Sequence, residues 1–90
     1  MPRTAQSQIV AKQVGEALRD TRRRASLTQA QLAGKLGVSP PYIANVEAGR
    51  ENLTLGQLAN IAAAVGAGLD VSFPLPERER VTAADAGGSQ

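Results

Sequence analysis

Apolar residues fall into helical spacing four times along this chain and into alternation once. From about Gln8 to Ala25, positions Val10, Val14, Ala17, Leu18 and Thr21 recur at three- and four-residue intervals, with no proline and one glycine. That is the spacing of one face of a long helix. The segment runs into Arg22, Arg23 and Arg24, cations favoured by the negative end of the helix dipole.

The next three segments share one punctuation. Thr28, Ser39 and Thr54 each carry a side-chain oxygen able to accept from the free N–H groups of a first helical turn. The pairs Leu27 and Leu32, Val38 and Ile43, and Leu53 and Leu58 have the spacing of a hydrophobic staple around those caps. Gln31 and Gln57, three residues beyond Thr28 and Thr54, complete two capping boxes. Gly37, Gly49 and Gly66 stand where each helix needs a left-handed C-terminal residue. The punctuation predicts helices over about 28–36, 39–48 and 54–65.

Beyond Gly68 the period changes to two: Leu69, Val71 and Phe73 alternate with Asp70 and Ser72, until Pro74 and Pro76 stop the pattern. One short strand is predicted within 67–75. Nothing else in the chain reads as a strand to pair with it, so the expected partner is a second copy, with Leu69, Val71 and Phe73 forming the dimer contact; a segment that packs irregularly on its own domain is the alternative. Residues 76–90 hold one large aliphatic residue, Val81, and are expected to form a disordered tail. The remaining block, 8–66, is the expected domain.

Composition narrows the chemistry. The 90 residues contain no cysteine and no histidine, which excludes disulfides, imidazole or thiolate metal sites and every Ser-His or Cys-His nucleophile. No cofactor fingerprint or phosphate loop is present, so no cofactor, no metal and no enzyme activity are expected. No stretch approaches the apolar length of a membrane span, and a cytoplasmic protein is expected. With one Tyr and one Phe, the core must be aliphatic, which suits packed helices. The formal charge of +2 is uneven: residues 1–53 hold eight Lys/Arg against Glu16, Asp20, Glu47 and Glu51, whereas 54–90 are net acidic. A basic front half fits an anionic partner.

The second and third helices are joined only through Gly37 and Val38, which forces a sharp crossing and requires a small residue, Ala33, at the contact. Leu32, Leu36, Val38, Ile43 and Val46 fall where these helices and the first can enclose them, and Ala30, Leu55, Leu58, Ile61, Ala62 and Val65 extend the expected core. Such a pair is a helix-turn-helix, whose second helix can enter a major groove. Asn45 can offer a donor and an acceptor together to an adenine edge; Pro40 and Pro41 can offer only apolar contact, for instance to a thymine methyl. Tyr42 reads either as a hydroxyl donor or as a ring covering the helix flank. Arg50 suits a phosphate clamp, Ser39 is a cap first and a phosphate ligand second, and Arg23 reads as solvated or phosphate-facing.

The run from Gln29 to Arg50, QAQLAGKLGVSPPYIANVEAGR, resembles the helix-turn-helix of the Cro/lambda-repressor-like (XRE) DNA-binding proteins, and the likeness extends from about Leu18 to Val65. The resemblance implies an all-α bundle of four to five helices. It places Gln29 at a DNA phosphate, Pro40, Pro41, Tyr42 and Asn45 at the groove, and Arg22 with Glu47 in a structural ion pair. It departs from members that carry glutamine where Pro40 and Pro41 stand, so direct base readout is expected to be sparse. The implied function is a homodimeric, double-stranded-DNA-binding transcriptional regulator, acting as a repressor on an inverted repeat. VGAGLDVSFPLPERER also resembles the end of small XRE-type antitoxins, which leaves an autorepressing antitoxin with a cognate toxin as the alternative; a pure protein-interaction domain is the third reading.

Overall fold

The computed structural model describes residues 5–73. They form four helices: α1 (Ala5–Arg24), α2 (Gln29–Leu36), α3 (Pro40–Glu47) and α4 (Leu55–Ala64). α1 starts three residues earlier than its apolar spacing indicates. Polar residues such as Gln6 and Ser7 extend a helix as readily as apolar ones when nothing caps it sooner.

Local chemistry accounts for the remaining boundaries. The Thr28 and Thr54 hydroxyls accept from the Gln31 and Gln57 N–H groups at 3.0 Å, and each glutamine side chain accepts the cap's own N–H at 2.8 Å. Ser39 Oγ accepts from the Tyr42 N–H at 3.3 Å, with prolines at the first two helical positions, where no N–H is needed. All four helices end alike, in a pair of backbone bonds reaching back around the last turn: Leu27 to Arg22 and Ser26 to Arg23, Val38 to Ala33 and Gly37 to Gly34, Arg50 to Asn45 and Gly49 to Val46, Ala67 to Ala62 and Gly66 to Ala63. The left-handed residue is glycine in three of them and Ser26, at φ 58°, in the first.

Leu18 of α1, Leu32 and Ala33 of α2, Ile43 and Val46 of α3, and Ile61 and Val65 of the α4 end form the core. Leu32, Ile43 and Val46 are fully enclosed. Leu36, Leu58 and Ala62 are half-buried. Three expected core positions are corrected. Ala30, on the first turn of α2, faces an open groove and is exposed. Val38 lies in the turn itself and is exposed. Leu55, at the first position of α4, is 71% exposed, because the face it shares with α1 is uncovered.

At Gly15, α1 lies directly against the end of α3: a Cβ there would lie 2.5 Å from the carbonyl oxygens of both Val46 and Glu47. Residues 69–73 carry no helix or ladder among the described residues, and a strand whose partner is a second copy has none to show within one chain. The last two positions of the expected strand, and the 76–90 segment, lie outside the described residues.

Candidate nucleic-acid interface

At 3.6 residues per turn, Ile43, Val46 and Glu47 form the stripe of α3 that packs inward. The opposite stripe is Pro41 and Asn45, four apart, flanked by Ala44 and Ala48. Pro40, Pro41 and Ala48 are exposed and Asn45 half-buried. The Asn45 side chain makes no hydrogen bond among the described residues, so its donor and acceptor are both available. Tyr42 is half-buried with its ring against the core, on the border of this stripe. Ala44 and Ala48 carry no chemistry of their own and were not singled out from sequence; their small size lets the α3 backbone approach a surface closely.

Beside this face, an open groove of about 700 Å³ lies between the end of α1 and the start of α2, lined by Arg19, Arg22, Arg23, Thr28 and Gln29 among others, and reaching Pro40. Arg23 and Arg19 are exposed, as is Arg50 beyond α3. Thr28 satisfies one of the free N–H groups of α2, and those of Gln29 and Ala30 remain at the helix's positive end. Arg19 was not among the residues selected from sequence; its signal was its position one turn before the arginine run.

Under the groove lies a buried carboxylate. Arg22 Nε donates to Glu47 Oε2 at 2.6 Å and Nη2 donates to Oε1 at 3.1 Å, a two-point pairing across α1 and α3. Arg22 Nη1 also donates to the Leu27 carbonyl at 2.7 Å, fixing the approach to α2. Gln29 Nε2 donates to Glu47 Oε1 at 3.1 Å, so the amide that the resemblance places at a phosphate is engaged with Glu47 here. Burial by itself would raise the Glu47 carboxyl, but the hydrogen bonds from Arg22 and Gln29, with the charges of Arg22 and Arg19, hold it below the ordinary glutamate range. Arg22 is held above its ordinary value by the bond to Glu47, against its own burial.

One carboxylate thus ties three helices together and fixes α3 relative to the cationic groove. The family profile of the helix-turn-helix domain matches residues 13–72, the segment that contains every group just described. This chain belongs to that helix-turn-helix family, of the Cro/lambda-repressor type. Two solved structures of the clp gene regulator ClgR from Corynebacterium glutamicum are similar to this helix-turn-helix chain. One is 34% identical, covers 66% of this chain and 76% of that chain, and superposes with a TM-score of 0.64. The other is 29% identical, covers 87% of this chain and 73% of that chain, and has a TM-score of 0.62. No curated protein matches it in sequence. Among the described residues, no helix of this family member is long and apolar enough to cross a membrane, and no cluster of acidic residues could hold a metal ion.

Proposed function

We propose that this chain is a non-enzymatic, cytoplasmic DNA-binding transcriptional regulator, a repressor that binds an inverted-repeat operator as a homodimer. The observation that carries the reading is the juxtaposition of an outward α3 stripe, with the unpartnered Asn45 amide on it, and a cationic groove at the start of α2. The similarity to ClgR, described as a gene regulator, supports it.

In this reading α3 lies in the major groove. Asn45 pairs with an adenine edge, and Pro40 and Pro41 contact thymine methyl groups. Tyr42 borders the groove with its hydroxyl. Phosphates sit against the Gln29 and Ala30 N–H groups, Arg23 and Arg50, with Ser39 as a further ligand. Two copies joined through Leu69, Val71 and Phe73 present their α3 helices to half-sites about one helical turn apart.

The test is DNA binding by fluorescence anisotropy on a site captured by selection with the purified protein. With roughly 6 to 10 phosphate contacts per dimer, affinity drops ~10³- to 10⁵-fold between about 50 and 200 mM salt. Arg50→Ala weakens all sequences alike, whereas Asn45→Ala costs about 1–3 kcal/mol at the selected site and removes discrimination at one base. An affinity indifferent to salt, or an Asn45→Ala protein with unaltered selectivity, overturns this docking.

A further inference from the structure

α1 has two working stripes. Lys12, Gly15, Arg19 and Arg22, spaced by three and four, run along the side that meets α3 and the cationic groove. Val10, Val14, Ala17 and Thr21 run along the other side, where they and α4 enclose an apolar groove of about 630 Å³ open to solvent. Leu55 and Leu58 form its α4 wall, and residues 69–72 close one end. A second hollow, of about 480 Å³, shares Val10, Val14, Leu55 and Leu58, so the apolar surface is continuous toward the start of α1.

The segment that closes the groove is itself incomplete. Gly68 to Phe73 make no backbone–backbone hydrogen bond among the described residues. Leu69 and Val71 are exposed, and Phe73 is 91% exposed, just beyond the last residue that lines the groove. A chain that carries both an apolar groove and an apolar projection beside it has the self-complementarity a two-fold interface requires.

Register decides where the projection goes. If two copies of residues 69–73 pair as antiparallel strands about a two-fold axis at Val71, residue 73 of each lies opposite residue 69 of the other. Leu69 lines the groove of its own copy, and Leu69, Val71 and Phe73 share one face of an extended strand. We propose that the groove between α1 and α4 is the seat for Phe73 of a second copy, the two copies exchanging Phe73 side chains across a strand pair centred on Val71. Ile9, Val10, Leu55, Leu69, Val71 and Phe73 together expose apolar surface on the order of several hundred Å² per copy, comparable with the ~800 Å² per partner of a standard interface. The seat lies on the side of α1 away from α3, so occupation leaves the Pro41 and Asn45 face free.

This inference rests on the homodimeric reading above, and the test separates the two. The chain contains no cysteine, so introduced thiols report single contacts. A tagged Phe73→Cys chain is mixed with an untagged Leu55→Cys chain and oxidised, with Val71→Cys alone reporting the axis. The expected result is a covalent Phe73→Cys/Leu55→Cys heterodimer, and a dimer dissociation constant at least tenfold higher in Leu55→Glu, with helicity retained by circular dichroism. A Val71→Cys dimer without the 73–55 bridge overturns the seat and leaves the homodimer standing. A 73–55 bridge confined to one chain carrying both substitutions also overturns it. Wild-type protein that sediments as a monomer up to high micromolar concentration overturns the homodimer and the seat together.

Discussion

At the residue scale, Glu47 is a charge that the fold has removed from water and then surrounded with donors. Taking a carboxylate out of water costs several kcal/mol, and an uncompensated one does not persist. Here Arg22 supplies two donors and Gln29 a third. Removing Glu47 leaves Arg22 buried without its counter-charge, so Glu47→Ala is expected to lose about 3–5 kcal/mol of folding stability by urea denaturation. The pH dependence follows from the direction of the shift. Because the folded carboxyl titrates below its unfolded counterpart, its stabilisation is complete above the ordinary glutamate range and is lost as pH falls through that range toward the depressed value. Wild-type protein therefore loses more stability between about pH 7 and pH 3 than Glu47→Gln does, with parallel losses in the two proteins counting against the pair's contribution. Arg22 remains charged throughout that window and adds no pH dependence of its own.

At the scale of elements, the caps were legible and the contacts between helices less so. Thr28 with Gln31 and Thr54 with Gln57 meet across one turn, and a glycine at a helix end acts on its own backbone, so these signals lie within a few residues of sequence. The outward position of Asn45 was likewise readable from a single helix, and the family resemblance from the consecutive run Gln29 to Arg50. By contrast, Leu55 and Val38 are as apolar as Leu32, and only the absence of a neighbouring element above them leaves them exposed. Gln29 belongs to the same class: its bond to Glu47 spans two helices, and no local pattern announces it. Ser26 takes the left-handed place that glycine fills at the other three helix ends, so the end of α1, expected near Ala25 and found at Arg24, was marked by its arginine run and not by a glycine.

Gly15 is the sharpest example, because in sequence it is only a weak point in a helix. In the fold, its missing side chain lets α1 rest on the carbonyls at the end of α3. Alanine would gain about 1 kcal/mol in helix propensity. Its Cβ would also meet two backbone oxygens at 2.5 Å, and backbone cannot swing aside as a side chain can. Overpacking of this kind costs typically 1–3 kcal/mol or more. With the propensity gain set against that cost, Gly15→Ala is expected to be less stable than wild type by up to about 2 kcal/mol in urea, with DNA affinity reduced because α3 is displaced. An equally stable or more stable variant would show that α1 can shift freely on α3.

At the scale of the whole molecule, the helices and the segment after them have separable roles. The buried core drawn from α1 to α4 ends at Val65, with Ala67 packed against it, while Leu69, Val71 and Phe73 remain exposed. Proline at Val71 removes a ladder donor and an apolar side chain at the proposed axis, leaving the caps and the core untouched. Val71→Pro is expected to keep wild-type helicity by circular dichroism and to sediment as a monomer. Operator binding should then become steeply concentration-dependent, because a monomer carries one α3 helix and the second half-site is no longer engaged at high effective concentration. Loss of helicity in the variant would instead make residues 69–73 part of the folding core. A Val71→Pro dimer with unchanged operator affinity would move the contact away from the strand altogether, toward the exposed Ile9 and Val10 on the first turns of α1.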